Sequence, residues 1–453
     1  MSKQWCERRR RRRIMECKSW AYWWWYVVVA LCADVIVVGQ CGHVDTRYLS
    51  VESSRWVVRE SDGVRVKLAC VNWAAHLEPM VAEGLDKQPL ARLALAIRGM
   101  GFNCVRLTWA THMLTRGGAR NTTVSERFKA LNLSRALRGI HIHNPALVNL
   151  TLPDAFKAAV ASMARAGMYV IADNHVSQAQ WCCSANNDDV EGFWGEPGFA
   201  VQEWLDGLRA MALHVPNLAG ISLRNELRGP TQNPSDWHRF MSMGASVVST
   251  ANPHLLIFVA GLNNDTDLHF LSSSSKGQHL SINVSTAQPK LVYEMHWYAS
   301  SYGVNFAQGN LNQVCAIATS TITASGAFMA SSPSPSPSSP NTSSSSFVAP
   351  LFISEFGIDQ RGGNKASNRY INCLFAFMAS LDLDWSYWAL QGSYYRRYGN
   401  EGDEEYMGIL NAQWNAPRNM TFLAKLQAMQ QPWKGMYEYL NLSIRLYYST
   451  YLR

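Results

Sequence analysis

Leu218-Ala-Gly-Ile-Ser-Leu-Arg-Asn-Glu226 is a short apolar run that ends in three polar residues. The same form recurs in Pro350-Leu-Phe-Ile-Ser-Glu355, Cys104-Val-Arg-Leu-Thr-Trp109 and Ile171-Ala-Asp-Asn-His175. Apolar runs without clean alternation suit strands that are covered on both faces. Working outward, strands are predicted over 64–71, 103–108, 168–173, 218–224, 255–260, 290–296, 351–354 and 384–390. Helices are predicted over 89–100, 153–166, 199–214, 235–251, 310–324, 366–381 and 416–430. Pro153-Asp154 and Pro234-Ser235-Asp236 are helix-opening signals. Eight strands alternating with helices predict an α/β fold, a (β/α)8 TIM barrel, as a single domain over 50–435. A doubly wound open sheet would want a glycine-rich turn after its first strand, and Val71-Asn-Trp-Ala-Ala-His76 is not one.

In such a barrel the carboxyl ends of the strands share one face. Glu226 and Glu355 would then meet there. Two carboxylates facing each other across a cleft suit cleavage of a glycosidic bond, one as acid and one as nucleophile. Glu226 would stay protonated through burial and the charge of Glu355. Glu355 would be ionised and need donors. Arg106, in a strand predicted to be buried, and the Tyr298 hydroxyl are the candidates. Asn225 would bind the sugar's 2-hydroxyl. His175, His296 and Trp388 end strands on the same face, and Trp73 and His76 follow the first strand, so all five are expected to line the site. Trp181 and Trp194 are candidate platforms for outer sugars. For each of these residues the plainer alternative is a structural ion pair, a hydrogen-bonded strand-end histidine or a core tryptophan.

This set resembles glycoside hydrolase family 5, the cellulase family, from about Trp56 to Trp433. The family's eight key residues find matches in Arg106, His175, Asn225, Glu226, His296, Tyr298, Glu355 and Trp388. Leu68-Ala-Cys-Val-Asn-Trp73, Trp181-Cys-Cys-Ser184, Ser222-Leu-Arg-Asn-Glu-Leu-Arg-Gly-Pro230 and Gly392-Ser-Tyr-Tyr395 are similar to its plant branch in particular. The resemblance implies retaining hydrolysis of a β-linked oligo- or polysaccharide, cellulose-like or mannan-like, with Glu226 as acid/base and Glu355 as nucleophile. It implies no cofactor and no metal. Members of the plant branch often carry a ricin-like β-trefoil after the barrel, and residues 436–453 are too few to hold one. Two other readings keep the barrel. One is a non-catalytic carbohydrate-binding protein of the cell wall. The other is a metal-dependent hydrolase using His141-Ile-His143, in a loop before Asn144-Pro145. No Gly-x-Ser-x-Gly elbow supports a serine hydrolase.

The net charge of +8 is concentrated at the start of the chain. Lys3, Arg8 to Arg13 and Lys18 outweigh Glu7 and Glu16, which leaves the rest near neutral. That excludes a basic nucleic-acid face on the folded part. The basic run precedes Ala21-Tyr-Trp-Trp-Trp-Tyr-Val-Val-Val-Ala-Leu-Cys32, so residues 1–42 are expected to be a cleaved signal peptide. The alternative is an uncleaved type II anchor in the secretory pathway, the one route to membrane association. Eight Asn-x-Ser/Thr sequons fit a secreted, glycosylated cell-wall protein, and a monomer is expected. Six cysteines beyond residue 41 allow three disulfides whose pairing sequence leaves open. Residues 331–346, rich in Ser and Pro, read as a flexible loop on the barrel's far side. The aromatic tail 436–453 is left unassigned.

Overall fold

The computed structural model describes residues 48–51, 55–183, 189–272, 282, 290–330 and 347–434. The signal-like segment, the Ser/Pro-rich stretch 331–346 and the tail 436–453 lie outside them. Among the described residues, no helix is long and apolar enough to cross a membrane.

Eight parallel strands close into a barrel. They are β1 (Ala69–Trp73), β2 (Cys104–Ala110), β3 (Tyr169–Val176), β4 (Gly220–Ser222), β5 (Leu256–Ala260), β6 (Leu291–His296), β7 (Leu351–Glu355) and β8 (Asp384–Tyr387). The ring closes where β8 pairs with β1, Trp385 opposite Ala69. Helices α1 (Leu90–Gly99), α2 (Leu152–Arg165), α3 (Val201–His214), α4 (Pro234–Ala251), α5 (Leu311–Ser325), α6 (Lys365–Leu381) and α7 (Met420–Gln427) follow the strands. After β5 come only the short turns Leu262–Asp265 and His269–Leu271 before the described chain breaks. The chain is therefore the (β/α)8 barrel its apolar runs predict.

Local chemistry fixes the helix starts. Thr151 caps α2 by accepting from the Asp154 N–H, and Asn233 caps α4 through Asp236. The prolines at 153 and 234 occupy first-turn positions, where no N–H is missed. Leu152, Ala155, Phe156, Ala159, Val160 and Met163 form the buried stripe of α2, at helical spacing. Each large apolar side chain buried this way contributes about 1.5–3 kcal/mol.

Inside the barrel, residues two apart step up the same wall. The lower level is apolar: Cys70, Cys104, Ile171, Leu256, Phe258, Val292 and Phe352. An antiparallel hairpin, Leu49–Val51 with Val57–Arg59, packs Leu49, Val51 and Val57 onto it. One step higher the wall turns polar, with Asn72, Arg106, Asp173, Ser222 and Glu294, all fully buried. This second level carries the site.

Several boundaries differ from expectation. β1 begins at Ala69, not 64, because Arg65 and Lys67 turn away to pair with Asp382 in a buried cluster. β4 ends at Ser222, so Glu226 lies beyond the ladder with φ +41°. The excursion after β2 holds helices Val124–Ala130 and Ser134–His143, the first opened by a reciprocal Thr123–Glu126 capping box. The three disulfides are Cys70–Cys104, Cys182–Cys183 and Cys315–Cys373.

Candidate active site

Arg106 is the hub of the polar level. It is fully buried on β2, where an isolated cation would be severely penalised. Its Nη1 donates to Glu355 Oε1 at 2.8 Å and to Asn72 Oδ1 at 3.0 Å. Its Nη2 donates to Asn225 Oδ1 at 3.0 Å and meets Asp173 Oδ1 at 3.0 Å. Glu294 lies 3.7 Å from Nε and also accepts from the Ser222 hydroxyl. Burial works to lower the guanidinium's pKa, but Asp173, Glu294 and Glu355 outweigh it, so the charge is held. The planar fork thus fixes Glu355 on one side and Asn225 on the other.

Glu355 ends β7. Besides Arg106, it receives the Tyr298 hydroxyl at 3.0 Å on Oε2. Burial pushes its pKa up to about 7, against the pull of His296 and Arg106. Glu226 accepts from His296 Nδ1 at 2.8 Å. Burial acts to raise Glu226, but the hydrogen bond and charge of His296 outweigh it and leave the carboxyl below its ordinary value. His296 is itself opposed by burial, yet Glu355, Asp265 and Glu226 push it up to about 9. One oxygen of Glu226, one of Glu355 and a His296 nitrogen all lie within 4.8 Å of one another. The two carboxylates therefore share one groove.

This arrangement corrects one expectation. Sequence reasoning has Glu226 protonated by the nearness of Glu355. In the structure three acids around the imidazole raise His296 while its hydrogen bond lowers Glu226, so the balance favours the proton on His296, one hydrogen bond from Glu226. Movement of the proton along the 2.8 Å bond gives a neutral His296 and a protonated Glu226.

His175 and His76 lie side by side, ring centroids 4.1 Å apart. His175 Nδ1 bonds Asp173 at 2.6 Å, and His76 Nδ1 bonds the Thr108 hydroxyl at 2.7 Å. Burial pushes both well below the usual histidine range, which favours the neutral rings. Trp388 stacks on His175 at 5.5 Å with an interplanar angle of 13°. Trp181 stands edge-on to Trp388 at 6.5 Å, and Arg397 lies 3.9 Å over its ring.

Two predicted site residues are placed elsewhere. Trp73 is fully buried in the strand–helix core, its indole N–H donating to the Glu83 carbonyl. Its neighbour Asn72 points inward to Arg106, so strand alternation turns Trp73 outward. Trp194 is also core, packed against Phe193, Phe199, Trp204 and Phe240. His141 and His143 sit on the helix Ser134–His143, not in a loop, and His141 Nδ1 bonds the Leu137 carbonyl.

Other residues were not singled out from sequence. Asp173 and Glu294 belong to the same inward row as His175 and His296, two positions below each, so alternation could have found them. Asp265 had no such signal. It is fully buried after the left-handed residues Asn263 and Asn264, and its Oδ2 lies 3.4 Å from His296 Nε2. Among the described residues, two sets of side chains come close enough to hold a cation. Both include Glu226, one with His296 and Glu355, the other with Cys182 and Cys183.

Known proteins share the family and the fold. The family described as Cellulase (glycosyl hydrolase family 5) matches residues 72–393. A glycosyl hydrolase 5 family protein of the conifer Chamaecyparis obtusa is 43% identical over 389 residues. That alignment covers 84% of this chain, which spans 66% of the length of the relative. The catalytic domain of the major endoglucanase from Xanthomonas campestris pv. campestris superposes with a TM-score of 0.63 at 22% identity. It covers 84% of this chain and 99% of that one. A hyperthermophilic endocellulase from Pyrococcus horikoshii gives 0.64 at 19% identity, over 85% of this chain and 98% of the other. At these identities the two structures establish the shared fold.

Proposed function

Because this chain belongs to the cellulase family, glycosyl hydrolase family 5, we propose that it is a retaining β-glycosidase acting on a β-linked glucan or mannan. Glu355 attacks the anomeric carbon while Glu226, taking the proton held on His296, protonates the leaving oxygen. Water then releases the glycosyl-enzyme with Glu226 as base. Arg106 and Tyr298 hold the Glu355 carboxylate in its attacking pose. Asn225 gives its oxygen to Arg106 and one N–H to Cys182 Sγ, which leaves its other N–H for the sugar's 2-hydroxyl. Trp388 and neutral His175 offer a sugar face and a donor.

The observation that carries this reading is the separation of the two carboxylates. One oxygen of each lies within 4.8 Å of the other, which supports the close spacing of a retaining pair, about 5–5.5 Å, over the roughly 6.5–9.5 Å of an inverting one. A bond in a β-glucan is favoured by the cellulase family to which the chain belongs. The substrate is tested by incubating the protein with β-1,4-glucan, β-mannan and aryl β-glycosides. Hydrolysis of at least one is expected, and hydrolysis of none would leave the barrel a carbohydrate-binding protein.

The proton inventory predicts the pH profile. Glu355 must be ionised, and it loses its proton as pH rises through about 7. The His296–Glu226 proton is present below about 9 and lost above it. Hydrolysis measured as kcat/KM should therefore rise toward neutral pH and fall on the alkaline side. Asp265→Asn removes an acid that supports His296 and should move the falling limb to lower pH. A falling limb left in place by that change would separate Asp265 from the proton store.

A further inference from the structure

The bridge between Cys182 and Cys183 links consecutive residues. Disulfides stabilise chiefly by closing loops in the unfolded chain, and this one closes none. The other two pairs are staples by comparison. Cys70–Cys104 ties β1 to β2 in the sealed barrel interior, and Cys315–Cys373 ties α5 to α6. Cys182 and Cys183 are instead partly exposed, on the β3–α3 loop beside Trp181. Cys182 Sγ lies 3.5 Å from Asn225 Nδ2 and 3.9 Å from Arg228 Nη1. Both sulfurs and a Glu226 carboxylate oxygen lie within 4.8 Å of one another.

We propose that Cys182 and Cys183, once reduced, form with Glu226 a site for one thiophilic divalent cation of the zinc or cadmium kind. A trialkylphosphine supplies the two electrons. The S–S bond breaks, each sulfur takes a proton, and the phosphine leaves as its oxide with oxygen from water. The cation then displaces the two thiol protons and binds both thiolates and one Glu226 oxygen, leaving a fourth position for water. Metal–sulfur bonds of about 2.3 Å at a tetrahedral centre put the sulfurs roughly 3.8 Å apart. From a bonded distance of about 2.05 Å, that is a spreading of less than about 2 Å. Asn225 and Arg228 place an N–H and a positive charge beside the sulfur that becomes negative. The disulfide closes the site and reduction opens it. Loss of turnover on binding rests on the role given to Glu226 above; binding itself does not.

The test uses the full chain with Cd²⁺ as probe. One sample is treated with a phosphine and freed of it under inert gas; another is left oxidised. In the reduced protein, one equivalent of Cd²⁺ should produce the ultraviolet cadmium–thiolate band and lower hydrolysis at least tenfold. A chelator should reverse both. The oxidised protein should show neither at the same concentration. Glu226→Gln, reduced, should keep the band with weaker Cd²⁺ affinity. Cys182→Ser/Cys183→Ser, with its fold checked by circular dichroism, should lose the band. A band of equal strength in the double serine variant, no band at one equivalent, or equal inhibition of the oxidised protein would each overturn the proposal. Protein without hydrolytic activity in any state would refute the hydrolase reading, while the band would still decide this one.

Discussion

Glu355→Ala is expected to fold as the parent does and to lose at least about 10⁴-fold in turnover of aryl β-glycosides. The carboxylate is the proposed nucleophile, so its removal deletes the bond-forming atom. It also removes one of the two acceptors of Arg106 Nη1 and frees the Tyr298 hydroxyl, but Arg106 keeps Asp173, Asn72 and Asn225. The fold therefore keeps its internal anion, and circular dichroism should match the parent. Azide fills the space left by the side chain and can attack from the same face, so it should restore cleavage with an α-glycosyl azide as product. A variant that hydrolyses at the parent rate would remove Glu355 from the chemistry. A merely structural carboxylate would lower stability without azide rescue.

Arg106→Met should have the largest effect on stability, about 3–5 kcal/mol, read as a lower denaturant midpoint. The substitution keeps the side-chain volume close but withdraws the cation from Asp173, Glu294 and Glu355, all in a nearly sealed interior. Those acids would have to take up protons, so the loss should be greatest at high pH and shrink as pH falls. The sign follows from the buried acids. Deprived of Arg106, their folded-state pKa values rise, and the folded form binds more protons than the unfolded chain. Arg106→Lys should recover part of the stability and little of the activity, since one ammonium cannot hold Glu355 and Asn225 in two directions. A destabilisation below about 1 kcal/mol, or one independent of pH, would mean that the acids are satisfied by other partners.

The sequence showed the barrel because each strand is a compact apolar run with polar residues at one end. The same pattern located Arg106, His175, Asn225, Glu226, His296, Tyr298, Glu355 and Trp388, which the structure gathers on one face. What escaped it was orientation. Trp73 follows Asn72, and alternation sends one inward and the other into the helix layer. Asp173 and Glu294 look like interruptions of apolar strands until the opposing walls bring Arg106 to them. Asp265 depends on left-handed backbone at Asn263 and Asn264, which no apolar period announces. The location of the shared proton also depends on how many acids surround one imidazole, a property of the assembled barrel. Vicinal cysteines drew attention only in a count and in a family-like phrase, because their meaning comes from Glu226, 43 positions beyond Cys183.

The central claim is that Glu226 and Glu355 bracket one anomeric carbon, with Glu355 as the attacking group. It is tested most directly with a 2-deoxy-2-fluoro β-glycoside carrying an activated leaving group, of whichever sugar the substrate panel selects. Fluorine slows release of the glycosyl-enzyme more than its formation, so the intermediate accumulates. Peptide mass spectrometry should find one added 2-fluoroglycosyl group, on the peptide that contains Glu355 and on that residue. Continued turnover with no adduct, or an adduct on any other side chain, would contradict the account.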